Sequence, residues 1–223
     1  AMYNCIMIFG KIEYLNLLPF HVFMKRYLRS SSAKMSMEYK RGVPSAINYT
    51  FHKRRVDAAF ISSISAQKSS FVNLGIIAKK GVKSVLVIPH AADKKDADSA
   101  SSNILAKVLN LKGEVLIGDK ALRYALTHDD YIDLAQEWYK RTSLPFVFAL
   151  LCYHKDFALY KEIEQEFLKR RVKIPRYILQ NASKKTQIQE REILKYLKLI
   201  SYKVDANAKR GLKRFYKEAK RVG

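Results

Sequence analysis

Residues 5–20 read CIMIFGKIEYLNLLPF, and this stretch contains the change from strand to helix on which the fold depends. The apolar run at 5–9 is typical of a buried strand, and a helix is predicted after Pro19, a residue that a first helical turn tolerates. Polar Asn16 lies between the two predicted elements. It either closes a turn or reaches into a pocket, because ligands of open α/β sheets bind beyond the carboxyl ends of strands.

The same alternation of strand and helix continues along the chain. Apolar runs bounded by turn residues predict strands, and periodic stretches that begin with serine or proline predict helices. This order indicates α/β architecture with mainly parallel sheets. The further predicted strands are MSMEYKRG (35–42), VDAAFISS (56–63), VNLGIIAKKG (72–81), KSVLVIP (83–89), EVLI (114–117) and LPFVFALLCY (144–153), and the predicted helices include VPSAINYTFHKRR (43–55) and SASSNILAKVLN (99–110).

Two segments differ from this pattern. HAADKKDADSASS (90–102) is polar and of low complexity, and it is predicted to be a linker. From residue 155 onward the chain is densely basic and is predicted to be helical. There EREILKYLKLISYKV (190–204) and RGLKRFYKEAKRV (210–222) place Lys and Arg opposite apolar positions, as on amphipathic helices.

The composition indicates a folded chain with an anion-attracting surface. With 223 residues, 48% of them hydrophobic, it is long enough for one large domain or two modest lobes. The net charge of +22 favours anions, from nucleic acids to small dicarboxylates. Because no nucleic-acid reader motif accompanies the charge, nucleic acid is not the expected partner.

The location is predicted to be cytoplasmic and away from the membrane. The apolar runs are too short to span a bilayer, and a secretory signal is not expected. Cys5 and Cys152 both lie in strand-like apolar runs and are interpreted as reduced, buried thiols.

Small polar residues stand at several strand ends and helix starts besides Asn16. Serine hydroxyls and helix N-termini can hold a carboxylate, although Ser or Asp at such a position is more often only an N-cap. Spacing alone does not show that these residues converge. The candidates are Ser45, Ser62, Ser101, Ser102 and Asp119.

Common catalytic signatures do not occur in the sequence. It has no Cys-x-x-Cys or His-x-x-x-His pair, no nucleotide-binding glycine loop and no Gly-x-Ser-x-Gly elbow, and its five histidines are scattered. No metal site is therefore predicted, and any reaction would depend on positioning by polar, uncharged groups.

Six segments, in order, resemble the MqnA family, the chorismate dehydratases of the futalosine route to menaquinone. They cover most of residues 8–153. The resemblance implies a two-lobed α/β fold similar to type II periplasmic binding proteins, with the ligand between the lobes and two hinge-crossing strands, KSVLVIP outward and PFVFALLCY back. The segments are YLNLLPF, GVPSAIN, VDAAFISS, SVLVIP, VLIGDKAL and DLAQEWYKRTSLPFVFALL.

The implied division places lobe 1 at 1–86 and 153–223 and lobe 2 at 87–152. Lobe 2 departs from the family pattern, because the polar stretch after Pro89 replaces a strand and a strand-and-helix passage is missing near residues 110–114. Lobe 2 is therefore predicted to be trimmed.

The family eliminates water from chorismate, which leaves an aromatic enolpyruvyl-benzoate, and needs no cofactor because aromatisation drives the step. The resemblance implies Asn16 as the catalytic residue. The base is a substrate carboxylate or, as the alternative, Glu13 with a pKa raised by burial. The predicted substrate-binding residues are Ser45, Ser62, Ser84, Ser101, Ser102 and Asp119.

Two other functions stay open for this fold. One is a sister enzyme of the same pathway that acts on cyclic dehypoxanthine futalosine. The other is a solute-binding protein without catalysis. The sequence does not reveal the oligomeric state.

Overall fold

A computed structural model describes residues 6–30 and 37–223, so the prediction for Cys5 lies outside the described ranges. The strands are β1 Met7–Lys11, β2 Met37–Arg41, β3 Ala58–Ser62, β4 Ser70–Ala78, β5 Val85–Ile88, β6 Glu114–Ile117, β7 Ile132–Asp133, β8 Phe146–Tyr153 and β9 Ile200–Lys203. The α-helices are α1 Leu18–Ser30, α2 Pro44–His52, α3 Ala100–Val108, α4 Gly118–Thr127, α5 Leu134–Thr142, α6 Phe157–Lys169, α7 Arg176–Thr186, α8 Glu190–Leu197 and α9 Ala206–Val222. Short 3-10 helices occupy Leu15–Leu17 and Ser63–Ala66.

The strands form two sheets. The larger has the order β2-β1-β3-β8-β4-β9, and the smaller has the order β6-β5-β7. The chain leaves the larger sheet after β4, builds the smaller one, and returns through β8, which inserts between β3 and β4. This is the two-lobed α/β arrangement that the sequence predicted, with a small second sheet.

The prediction of mainly parallel sheets is wrong. β1 pairs in parallel with β2 and β3, but all the other pairings between strands in the described ranges are antiparallel. β8 runs antiparallel to β3 and β4 because the chain crosses to the smaller sheet after β4 and returns in the opposite direction. Within the smaller sheet, β5 and β6 also pair antiparallel, although α3 lies between them in the chain.

β8 belongs to the larger sheet through its pairs with β3 and β4. The start of the smaller sheet at Val85 lies close to the predicted boundary at residue 86. The division into 1–86 with 153–223 and 87–152 stays a prediction.

The polar stretch after Pro89 is more ordered than its composition indicates. Lys94 forms a parallel bridge with Glu114, and Asp93 Oδ1 accepts a hydrogen bond from Gly113 N at 2.7 Å. Asp96 is buried, and its backbone oxygen accepts from Asn103 Nδ2 at 2.7 Å. The segment therefore runs beside β6 instead of acting as a free linker.

The helix predicted over 190–204 is wrong beyond Leu197, where α8 ends. Residues Ile200–Lys203 form β9 and pair with β4 at the edge of the larger sheet. Helical periodicity continues through this stretch, but the free edge of β4 offers the backbone an alternative set of partners. The predicted helix at the chain end is confirmed as α9, which Asp205 caps by accepting from Ala208 N at 2.8 Å.

The core between the larger sheet and α9 is aromatic. Trp138 and Phe215 both contact Phe146, with ring centroids 5.6 Å and 4.8 Å away. Cys152 is buried on β8 as a free thiol, and burial raises its pKa. None of the helices in the described part of the chain combines the length and apolarity needed to cross a bilayer.

Candidate active site

A cleft of about 630 Å³, including its solvent-open part, lies between the two sheets. Phe60 and Phe148 from the larger sheet and Val85 and Ile117 from the smaller one belong to its apolar wall. Its polar lining consists of Tyr14, Asn16, Ser62, Ser84, Ser99 and Ser102.

Three helices begin at this cleft. Pro44 of α2, Ser102 of α3 and Gly118 of α4 all line it, and each belongs to the first turn of its helix. The N-terminus of a helix carries partial positive charge and unpaired N–H groups. The cleft is therefore suited to an anion such as a carboxylate.

Ser62 is held by a buried amide. Asn48 Oδ1 accepts from Ser62 N at 3.1 Å, which fixes the amide so that Asn48 Nδ2 donates to Ser62 Oγ at 2.9 Å. Both side chains are buried. The Ser62 hydroxyl thus acts as an acceptor toward the protein.

Ser84 and Ser102 are held in the same manner. Tyr196 from α8 donates its hydroxyl to Ser84 Oγ at 2.9 Å, and burial raises the pKa of this tyrosine so that it remains a donor. Ser99 Oγ accepts from Ser102 N at 3.2 Å and donates to Ser102 Oγ at 2.7 Å.

These three hydroxyls therefore retain their protons for a ligand. A serine hydroxyl has one proton to donate, and within the described residues none of the three donates it to another protein group. Together with the helix N-termini, they give the cleft a set of donors aimed at acceptor oxygens.

Asn16 supplies a hydrogen-bond acceptor to the cleft, whereas the three serines supply donors. Its Oδ1 is buried without a hydrogen-bond partner in the described structure, which is uncommon for a buried amide oxygen. Its backbone oxygen accepts from Tyr202 Oη at 2.6 Å, and the preceding Leu15 N donates to Asp119 Oδ1 at 3.0 Å. The turn that carries Asn16 is thus fixed while its side-chain acceptor is left for a ligand.

The structure brings Asn16, Ser62, Ser84 and Ser102 of the predicted site residues together in the cleft. The other three do not line it. Ser45 is exposed and lies 3.5 Å from Asp98 Oδ1, and Ser101 Oγ pairs with Ser63 Oγ at 3.1 Å. Asp119 binds the backbone of Leu15.

Glu13 does not fit the role of a buried base. It forms ion pairs with Lys185 at 2.8 Å, Arg41 at 3.4 Å and Lys11 at 3.5 Å, and it lines a neighbouring cavity instead of the cleft. The hydrogen bond from Lys185 and the three positive charges outweigh partial burial and lower the pKa of Glu13. The prediction of a raised pKa is wrong.

Sequence reasoning missed the residues that hold the site in place. Asn48 is the last residue of the segment GVPSAIN, and its single-residue signal is weak. Tyr196 lies in α8, whose sequence is that of an ordinary amphipathic helix, so no local pattern predicts its hydrogen bond to Ser84. Gly118 lies in the segment VLIGDKAL, and its φ of +67° and a Cβ that would lie 3.0 Å from the Tyr14 ring favour glycine at this position.

Asp133 of the segment DLAQEW holds the crossing that leads to Ser84. Its Oδ2 accepts from Val82 N at 2.7 Å and Lys83 N at 2.6 Å, while its Oδ1 caps α5. Burial raises the pKa of Asp133, and its backbone N–H donors act in the opposite direction. The side chain of Gln136 adds a bond from Gly81 N at 3.0 Å.

The described residues contain no group of three or more His, Cys, Asp or Glu side chains placed to hold a metal ion. Among the described residues that line the cleft, Tyr14 is the one titratable side chain, and burial raises its pKa so that it stays protonated. The cleft is otherwise built from uncharged groups.

This is a two-lobed α/β fold of the periplasmic-binding-protein type. Solved structures agree in fold. A protein of Archaeoglobus fulgidus is similar with a TM-score of 0.71 and 12% identity, over 99% of this chain and 98% of that one. The alkanesulfonate-binding protein SsuA from Xanthomonas axonopodis pv. citri is similar with a TM-score of 0.60 and 10% identity, over 100% of this chain and 96% of that one.

Sequence comparison identifies the particular family. The family model described as menaquinone biosynthesis matches residues 98–221. A chorismate dehydratase of Campylobacter jejuni subsp. jejuni is 47% identical over 218 residues, which cover 96% of this chain and 98% of that protein. The chain belongs to this menaquinone-biosynthesis family.

Proposed function

We propose that this protein is a chorismate dehydratase, a hydro-lyase of menaquinone biosynthesis. The observation that carries the proposal is the inventory of free hydrogen-bonding groups in the cleft: three hydroxyl protons, three helix N-termini and one unpaired acceptor, Asn16 Oδ1. Chorismate has two carboxylates that need donors and one hydroxyl that needs an acceptor. The 47% identical relative supports the same substrate.

In this proposal the serines and helix N-termini hold the carboxylates. Ser62, Ser84 and Ser102 donate their hydroxyl protons, and the partial charges of the helices add to the attraction. Asn16 Oδ1 accepts from the ring hydroxyl and orients its carbon–oxygen bond. Asn16 is thereby the residue that touches the reacting centre.

The elimination breaks one carbon–hydrogen and one carbon–oxygen bond. The ring carbon that bears the enolpyruvyl ether loses its proton, the neighbouring carbon loses its hydroxyl, and water leaves as the ring becomes aromatic. We assign the base to a substrate carboxylate, because Tyr14 is protonated and the lowered pKa of Glu13 makes that carboxylate a weaker base outside the cleft. Positioning then supplies much of the catalysis.

Replacing Asn16 by Ala tests the proposal. The wild-type protein is expected to convert chorismate into an aromatic product, followed by ultraviolet absorption and mass spectrometry. Asn16→Ala is expected to lose at least about a hundredfold in kcat, since a misplaced substrate loses orientation. The control is Asn207→Ala, an exposed position on α9 that leaves the cleft intact.

The same assay separates the other functions. Turnover of cyclic dehypoxanthine futalosine in place of chorismate would identify the sister enzyme. Tight binding of either compound without any product would identify a solute-binding protein. Near-normal turnover by Asn16→Ala would contradict the role of Asn16.

A further inference from the structure

The two sides of the cleft are joined by a contact that the proposed chemistry does not use. Leu15 N, in the 3-10 helix that follows β1, donates to Asp119 Oδ1 at 3.0 Å, in α4 that follows β6. Beside this bond, the Tyr14 ring packs on Gly118, where an added Cβ would lie 3.0 Å from the ring. The contact thus connects the larger sheet to the smaller one, next to Asn16.

Asp119 is not the helix cap that its position suggests. It occupies the first turn of α4, yet this helix begins without a side-chain cap, and the carboxylate instead binds the amide of a residue 104 positions away in sequence. Burial raises the pKa of Asp119, while the Leu15 N–H and the charges of Lys185 and Arg123 act to lower it. The bond that it accepts explains why this carboxylate is partly buried.

The turn around Asn16 is therefore held from two directions. Asp119 binds the N–H of the residue before it, and Tyr202 donates to the backbone oxygen of Asn16 at 2.6 Å. Tyr202 belongs to the larger sheet through β9, whereas Asp119 belongs to the side of the smaller sheet. The bond to Asp119 can form only when the two sides of the cleft lie together.

We propose that Asp119 is a positioning residue that fixes the turn of Asn16 when the cleft is closed. The consequence for catalysis rests on the proposed function. Because Asp119 does not line the cleft, it affects the reaction through Asn16 and not through binding of the carboxylates. Its loss is expected to lower kcat far more than it raises KM.

The test compares Asp119→Ala with Asp119→Asn. Asp119→Ala removes the acceptor and is expected to lower kcat by about tenfold or more, with a change in KM below about threefold. Asp119→Asn keeps an oxygen that accepts from Leu15 N and is expected to restore most of kcat. The matched control is Asp57→Ala, which removes a similar carboxylate that accepts from Ile8 N at 2.8 Å outside the cleft.

A double-mutant cycle distinguishes positioning from a general loss of structure. If Asp119 acts through Asn16, Asp119→Ala adds little to the loss in kcat already caused by Asn16→Ala. Calorimetric titration with the reaction product checks the folding of each variant. A fully folded variant is expected to bind the product at one site per chain. Additive losses, equal losses in Asp119→Asn and Asp119→Ala, or a wild-type kcat in Asp119→Ala would overturn the proposal.

Hydrogen exchange tests the contact without using the substrate. The Leu15 amide is expected to be protected in the wild type and in Asp119→Asn and to exchange at least about tenfold faster in Asp119→Ala. If the wild-type protein does not convert chorismate, the proposed function fails, while Leu15 exchange still decides whether the contact exists. Unchanged exchange in Asp119→Ala would refute the contact itself.

Discussion

At the scale of single residues, the polar groups of the cleft fall into those that meet the ligand and those that hold them. Ser84 is buried, and its hydroxyl accepts from Tyr196, a residue more than a hundred positions later in the chain. A hydroxyl without this partner would be free to rotate. The direction of one hydrogen bond therefore determines which atom Ser84 offers to a ligand.

Tyr196→Phe tests this arrangement. It removes one hydroxyl and keeps the ring in its buried site, so the loss is expected to be that of one hydrogen bond, about 1 kcal/mol in binding. KM for chorismate should rise about fivefold to tenfold, and the free energy of unfolding should fall by a similar 1 kcal/mol. Steady-state kinetics and urea denaturation measure the two quantities.

The control for this variant is Tyr177→Phe, at a ring that is 56% exposed. It removes the same atom at a site without a role in the cleft. An unchanged KM in Tyr196→Phe, or an equal change in Tyr177→Phe, would show that the tyrosine does not orient Ser84.

At the scale of elements, the position of α9 fixes the return of the chain into the larger sheet. Gly211 of α9 packs so closely on the turn before β8 that an added Cβ would lie 2.1 Å from the Pro145 backbone oxygen. Phe215, one turn later, reaches Phe146 at the start of β8. The backbone of α9 contacts the backbone of the turn before β8, because Gly211 has no side chain to separate them.

Gly211→Ala is expected to destabilise the protein by about 1–3 kcal/mol. Helix propensity alone would favour alanine by about 1 kcal/mol, but the clash is with backbone and not with the end of a flexible side chain. The measurement is the melting temperature with the urea midpoint, and Lys213→Ala, on the exposed face of α9, is the control. Equal or higher stability of Gly211→Ala would contradict the close packing of α9.

At the scale of the whole molecule, the charge acts over distances longer than any contact in the cleft. The net charge is +22, whereas the described residues that line the cleft carry no ionised side chain. The basic surface therefore attracts a dianionic substrate toward a site that binds it with neutral donors. Such attraction raises the rate of encounter and is screened by salt.

Raising the ionic strength is expected to lower kcat/KM for chorismate and to leave kcat nearly unchanged. Between roughly 0.02 M and 0.5 M salt the fall should be about tenfold, because screening affects encounter more than the bound complex. Initial rates at several salt concentrations measure both constants. If kcat fell in parallel with kcat/KM, salt would be slowing the reaction step instead of the encounter, which would contradict this prediction.

Part of this protein follows from its sequence alone. The local patterns predict most strands and helices, and the junctions between them supply Asn16, Ser62 and Ser102. These features are local, because periodicity, helix starts and turn residues act within a few positions of one another. The two-lobed arrangement and Ser84 are implied only by the resemblance of the ordered segments to a known family.

Other features were decided only by the tertiary structure. The antiparallel pairing of β8, the strand β9, the partners of Ser62 and Ser84 and the contact of Asp119 with Leu15 all join residues that are distant in sequence or compete with a local preference. Local propensity does not specify which edge a strand meets or which oxygen a hydroxyl faces. The sequence thus determined which polar groups are present, and folding determined which of them face the cleft with a free proton or lone pair.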